Sequence, residues 1–218
     1  GDQLTVTTAN VSGNNSAFYK APQSIGRFVA NFTYTDAANG NNGPNGGNGI
    51  AFVIQNDPRG TTVYTYGGGS TLGYGAGFNA AIAPSIAVEF NIDTSFTPPA
   101  GTAIGINGSV GPFGPTGAIA LNSGDPIAVT IDYNGTTLST YLHDTITGGN
   151  YSQSQSMNLS AIGSQAYVGF TGGSGLDTAT QLVSNFTFST VPEPSSCVMA
   201  AVGALGLLIA SRKRRQSA

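Results

Sequence analysis

The chain has 218 residues, enough for one sizeable domain with its own core. Charged residues make up only 8% of it while 39% are hydrophobic, which excludes a disordered chain. Three basic residues (Lys20, Arg27 and Arg59) against nine acids leave residues 1–190 at −6, which excludes nucleic acid as a partner, because phosphates demand clustered Lys and Arg.

Apolar alternation predicts strands at residues 4–8, 16–19, 26–35, 49–55, 85–91, 102–107, 127–133, 137–143, 166–170 and 179–189. Between them lie Gly-rich clusters such as ANGNNGPNGGNG and TYGGGSTLGYGAG. Asn134-Gly135 sits between two β-rich runs and predicts a hairpin, since both residues tolerate positive φ. Residues 157–162 predict a helical turn. Short strands at this spacing, without a 3.6-residue period, imply an all-β sandwich or barrel over residues 1–190.

The stretch SIAVEFNIDTSF sets Glu89, Asn91 and Asp93 at alternate positions. Three readings compete: catalytic carboxylates, a metal site, or the polar face of an ordinary strand. His143 is the one histidine, which excludes a multi-His metal site and leaves little for a Ser-His-Asp triad; a surface role is expected for it. Cys197 is the one cysteine, so no internal disulfide forms. GYGAG is no phosphate loop, because no Lys follows it and no helical pattern opens after it.

From Val191 the text changes to VPEPSSCVMAAVGALGLLIASRKRRQSA. Pro192 and Pro194 flank Glu193, residues 197–210 carry no charge, and Arg212, Lys213, Arg214 and Arg215 follow. A helix over those apolar residues spans about 21 Å at roughly 1.5 Å per residue, short of a bilayer core of about 30 Å. The basic cluster is expected on the cytoplasmic side, with the body outside. Residues 191–218 resemble the PEP-CTERM sorting signal in all three parts and in their order. That resemblance implies export, recognition by an exosortase at the membrane, cleavage near Pro192–Pro194, and a cell-surface or extracellular product. GDQLTVTTAN has no signal-peptide core, so an N-terminal export segment, and with it the first strand, is expected to stand outside this sequence.

Taken in order, SAFYKAPQSIGRFVANFTYT, GIAFVIQNDPRG, GGGSTLGYGAGFN before SIAVEF, VTIDYNGTTLSTYL and AYVGFTGGSGLDTATQLVSNFTFS resemble the bacterial legume-type (L-type) lectins. The resemblance implies a concanavalin A-like jelly roll of two antiparallel sheets, followed by a short C-terminal hydrophobic helix. It implies a non-catalytic carbohydrate-binding protein whose partner is a glycan or exopolysaccharide. Its sugar site would take Asn48 where the family has Asp, a backbone N–H from Gly75 or Gly77, Phe96 as the aromatic, and Leu176 with Asp177. Its metal segment would keep Glu89, with Asn91 in place of Asp, Asp93 at an unusual place, and Ala103 where His is expected. In that eroded form the set suits Ca²⁺ better than a transition metal.

Two other readings share the fold. One is a structural surface protein with a degenerate sugar site. The other is a glycoside hydrolase similar to the family 16 glucanases, which carry Glu-x-Asp-x-(x)-Glu. EFNID keeps only Glu89 of that pattern. On a regular strand Glu89 and Asp93 stand about 13 Å apart at roughly 3.3 Å per residue, whereas retaining cleavage needs about 5–5.5 Å. Oligomeric state is not legible in the sequence.

Overall fold

A computed structural model describes residues 2–9, 11–37, 46–94 and 100–191. Twelve strands follow one another: β1 (Gln3–Thr7), β2 (Gly13–Phe18), β3 (Gln23–Ser24), β4 (Phe28–Ala37), β5 (Gly49–Gln55), β6 (Ser85–Asn91), β7 (Gly101–Ile106), β8 (Ile127–Tyr133), β9 (Thr137–Asp144), β10 (Asn150–Ser156), β11 (Gln165–Ser174) and β12 (Thr180–Thr190). They form two antiparallel sheets, a back sheet ordered β1-β12-β4-β8-β9-β10 and a front sheet ordered β2-β11-β5-β6-β7, with β3 against β11. This is the jelly-roll sandwich that the sequence led us to expect.

Alternation explains the back sheet. In β4 the residues Phe28, Ala30, Phe32 and Tyr34 face inward and are buried, while Asn31 faces water. Between the sheets Phe32 meets Phe52, Phe90, Phe170 and Phe186 with ring centroids 5.0–6.4 Å apart. Burying each such ring contributes roughly 1.5–3 kcal/mol.

The front sheet behaves differently. Every residue of β5 and β6 is buried, because both faces are covered. The inner face packs on the back sheet. The outer face carries Ala51, Val53 and Ala87, which meet Val63, Tyr74 and Ile82 from the segment between β5 and β6. That covering segment is fastened at its root. Arg59 pairs with Asp57 at 2.7 Å and donates to the carbonyls of Ala80 and Ala81, while Asp57 accepts the Ala83 N–H. The Arg59 guanidinium holds the Asp57 carboxyl down at about 2.

The β8–β9 hairpin turns at Asn134-Gly135, with Gly135 at φ 101 and the Asn134 side chain accepting the Thr136 and Thr137 N–H groups. Leu159–Ala161 forms the expected helical turn as one turn of 3-10 helix, capped by Asn158. Two strands were not expected: the two-residue β3, which pairs with Gln165 and Ala166 of β11, and β10. NYSQSQS (β10) has no apolar alternation to announce it, yet it pairs with β9 along all seven residues as a polar edge strand. The C-terminal hydrophobic helix and the residues Pro192, Glu193, Pro194, Arg212, Lys213, Arg214 and Arg215 lie outside the described residues. Among the described residues, no helix is long and apolar enough to cross a membrane.

Candidate functional site

At one end of the sandwich, four loops meet around a depression of about 230 Å³ lined by Asn48, Gly69, Ser70, Asp93, Gly175, Leu176 and Asp177. Each loop is placed by the strand it borders. Asn48 leads into β5; its N–H reaches the Gly173 carbonyl of β11 and its carbonyl accepts from Ile92, just past β6. Gly175, Leu176 and Asp177 join β11 to β12, with the Gly175 N–H on the Asp177 carbonyl at 3.2 Å. Gly69 and Ser70 come from the segment that covers the front sheet.

The centre of the depression is a pair. The Asn48 Nδ2 donates to Oδ2 of Asp93 at 2.6 Å, and both side chains are buried. A carboxylate oxygen only accepts, so this contact fixes which way the Asn48 amide points. The Oδ1 of Asn48 is then left without a hydrogen-bond partner among the described residues. Gly69 packs directly on that amide. A Cβ at Gly69 would overlap the Asn48 side chain and approach the Gly175 nitrogen to 2.5 Å. Only glycine lets the loop come this close.

The sequence-predicted residues divide between several places. Asn48, Leu176 and Asp177 line the depression, with Leu176 fully exposed at its lip. Asp93, grouped with the metal set in the sequence, stands here as well. Gly75 does not: it is buried, with its N–H on the Thr71 carbonyl and its α-carbon facing Val110. Gly77 is also elsewhere, against Tyr66 and Gly67. Of the glycines in this segment, Gly69 is the one that lines the depression. The run of three glycines at 67–69 was the available signal, though nothing in it favours one over another. Phe96 lies outside the described residues.

Glu89 is set apart from the depression. It sits on the covered outer face of β6, wholly buried, with Oε2 accepting the Gly111 N–H at 2.9 Å and Oε1 without a partner among the described residues. Burial pushes its carboxyl up to about 8, against the lowering effect of the Gly111 N–H. Directly across the ladder stands Ala103, and next to it Gly105, whose absent Cβ leaves room for Oε1. Asn91 turns its Nδ2 to the Asp93 carbonyl at 3.0 Å, so a donor faces that oxygen.

This donor set does not fit a resident transition metal. Ala103 offers no ligand atom opposite Glu89, and no group of three His, Cys, Asp or Glu side chains gathers among the described residues. Ca²⁺ takes six to eight oxygens. Glu89, Asn91 and Asp93 fall short of that shell, and Asp93 already holds the Asn48 amide.

The hydrolase reading needs two carboxyls on one cleft. Glu89 is enclosed beneath the covering segment and Asp93 faces the depression, so the pair has separate surroundings. His143 is a surface residue, its Nδ1 3.0 Å from Asn150 Oδ1 on the back sheet. Two larger hollows lie on that sheet and along the β1–β2 edge, and neither gathers these loops.

A legume lectin domain family model matches residues 3–200, and a PEP-CTERM protein-sorting motif matches residues 190–215. Several solved structures share the fold. Lectin II from Ulex europaeus has a TM-score of 0.71 at 22% identity, over 87% of each chain. Arcelin-5, a lectin-like defense protein from Phaseolus vulgaris, has a TM-score of 0.69 at 24% identity, over 88% of this chain and 87% of that one. A lectin from Bauhinia forficata, solved in complex with GalNAc, has a TM-score of 0.69 at 23% identity, over 87% of this chain and 86% of that one. No curated protein sequence matches the chain.

Proposed function

The chain belongs to the legume lectin domain family, and on that premise we propose that it binds neutral glycans, without turnover, in the depression between Asn48, Gly69, Asp93 and Asp177. The observation that carries this reading is the Asn48–Asp93 pair. It presents a carboxylate beside a buried amide oxygen that lacks a donor. An unfilled buried acceptor costs about 1–3 kcal/mol, and a sugar hydroxyl can supply the missing hydrogen bond once the glycines that lie against it, Gly69 and Gly175, give way.

The charge of the lining selects the glycan class. Asp93 and Asp177 are the ionisable residues among the described residues of its lining. A uronic acid or sulfated sugar would meet like charge there. Neutral hexoses and N-acetylhexosamines, the class of the GalNAc bound by the Bauhinia forficata lectin, meet none. The depression is smaller than the roughly 300–1,000 Å³ pockets that enclose drug-sized ligands, which suits one partly exposed sugar ring.

No step of the reading passes through a metal. Ca²⁺ would find one carboxylate at Glu89, and that group is held by the Gly111 N–H and favoured in its neutral form. Absence of turnover is supported by the separate surroundings of Glu89 and Asp93. The PEP-CTERM motif indicates export and membrane-associated sorting. From it we propose exosortase cleavage near Pro192–Pro194 and release of residues 1–190 as one lectin domain at the cell surface or in the extracellular matrix.

A second reading, a structural surface protein that has lost sugar binding, is favoured by Ala103 opposite Glu89. One experiment separates the two: a panel of neutral and acidic glycans offered to the wild type, Asn48→Ala and Asp177→Ala. Binding of neutral glycans that both variants weaken supports the lectin reading. Silence across the panel supports the structural one.

A further inference from the structure

The first and last strands meet in a buried polar cluster that the glycan site does not use. In the back sheet β12 lies between β1 and β4. Gln181 pairs with Thr7 on one side and with Asp36 on the other. The register of β1 shifts between Thr5 and Thr7. Such an irregularity re-aims a side chain, so Thr7 turns inward beside Val6 and both are buried. Thr7, Tyr34, Asp36 and Gln181 are all almost wholly shielded from water.

Within the cluster a hydroxyl touches an amide. Gln181 Nε2 donates to Thr7 Oγ1 at 3.0 Å, and that hydroxyl donates to the Ala179 carbonyl at 2.8 Å. The Tyr34 hydroxyl donates to Oε1 of the same amide at 3.0 Å. An amide C–N bond is about 1.33 Å long, so Thr7 Oγ1 stands within about 4.3 Å of the Gln181 Cδ. The last torsion of a glutamine is broad, and a partial turn presents the carbonyl carbon to the hydroxyl.

The neighbours of the amide are suited to its attack. Burial first, then the charge of Asp36, raises the Tyr34 phenol well above its ordinary range, so Tyr34 stays a donor. Asp36 is directly across the ladder from Gln181, where facing Cβ atoms are about 4.5–5.5 Å apart. Neither of its carboxyl oxygens has a hydrogen-bond partner among the described residues. Burial raises that carboxyl to about 6, so at neutral pH it is an unshared base. A nucleophile, an amide with a donor on its oxygen and a free carboxylate are the parts of an acyl transfer.

We propose that Thr7 and Gln181 become joined by an ester, which the protein forms on itself with release of ammonia. The Thr7 oxygen bonds to Gln181 Cδ, and the Tyr34 hydroxyl holds the negative charge that gathers on Oε1. The C–N bond then breaks and the carbonyl re-forms. The hydroxyl proton passes by way of Asp36 to the departing nitrogen, which leaves as ammonia. Nothing is oxidised or reduced. Burial of the cluster keeps water from the finished ester.

The link ties the first strand to the last, between residues 174 positions apart. Cys197 is the one cysteine, so no internal disulfide can do this in an exported domain. The proposal is independent of what the depression binds.

Intact-mass and peptide-mapping spectrometry on the full chain test it. Wild type should weigh about 17 Da less than its sequence, the mass of one ammonia. Digestion should yield the peptide holding Thr7 joined to the peptide holding Gln181, and alkaline hydroxylamine, which cleaves esters and spares amides, should separate them. Thr7→Val should keep the full mass, while Thr7→Ser, which retains a hydroxyl, should link. Followed from the moment of purification, Tyr34→Phe and Asp36→Asn should link at least about tenfold more slowly than wild type.

A wild type of full mass overturns the proposal. So does an ammonia loss that persists in Thr7→Val, since that marks a succinimide at an Asn-Gly step such as Asn134-Gly135. A joined pair of peptides that survives hydroxylamine overturns the ester. Equal rates in wild type, Tyr34→Phe and Asp36→Asn overturn the route by which it forms.

Discussion

Asn48 and Asp93 share one buried hydrogen bond of 2.6 Å, amide to carboxylate, at the centre of the loop cluster. The resemblance places Asp where Asn48 stands, and in the sequence that looks like the loss of a charge. In the structure the carboxylate stands across the contact instead, on Asp93. Two carboxyl groups at this distance could not both ionise without strong repulsion.

Asn48→Asp should therefore destabilise the protein by about 2–3 kcal/mol at pH 7.5 and by much less at pH 4, where one of the two carboxyls can hold a proton. Adding Asp93→Asn should restore most of the loss. Denaturant unfolding of the two single variants and the double variant measures the coupling.

Glu89 gives stability a pH dependence of unusual sign. Its folded carboxyl sits at about 8 against an ordinary 4.5, so the folded state holds a proton that the unfolded state releases between those values. The Glu89 contribution is fully present below about pH 4.5 and is lost as pH rises through about 8. Glu89→Gln keeps the neutral form at every pH. It should exceed wild type by about 1–3 kcal/mol at pH 7.5, with the gap closing towards pH 4.5. Thermal unfolding across pH 4–9 reads this directly. A variant less stable than wild type at pH 7.5 would mean that Glu89 works as an ionised group.

Asp57 has the opposite sign. Its carboxyl is lowered to about 2 by Arg59, so it stabilises the covering segment above the ordinary 3.8 and loses that contribution as pH falls towards 2. Asp57→Asn should cost about 1–2 kcal/mol at pH 7, with the difference from wild type shrinking below pH 3.8 and vanishing at about pH 2. The comparison is made by unfolding at both pH values.

Gly69→Ala places a methyl group in the Asn48 amide. The loop must back away, so glycan affinity should fall by about 1–3 kcal/mol, with a smaller loss of stability. Gly68→Ala has open space around its Cβ but a φ of 90, so it should cost stability through strain. Calorimetric titration beside thermal unfolding separates the two effects.

Much of the fold was legible because it follows periodicity. The unbroken apolar text of GIAFVIQ and SIAVEFN marks β5 and β6, which are buried on both faces. The alternation of IAVTIDY marks β8, which is buried on one. Strand β10 was hidden because NYSQSQS earns its place by backbone pairing with β9, not by burying side chains. The site was legible where the loops border readable strands, at Asn48 and at Leu176-Asp177. It was not legible inside TYGGGSTLGYGAG, where choosing Gly69 over Gly75 or Gly77 depends on which α-carbon lies on the Asn48 amide. That Asp93 lines the depression was hidden for a related reason. Two-residue spacing put it with Glu89 and Asn91, but it lies past the end of β6, where the strand rule no longer says which way a side chain points.

The central claim is that a neutral glycan sits on Asn48 and Asp177 without help from a metal and without being cleaved. A glycan array read with and without EDTA, on wild type, Asn48→Ala and Asp177→Ala, tests it most directly. The account predicts binding to neutral hexose or N-acetylhexosamine glycans, unchanged by EDTA and weakened in each variant by about 1–3 kcal/mol. Binding abolished by EDTA, binding confined to acidic glycans, or reducing-sugar release that Glu89→Gln abolishes would contradict it.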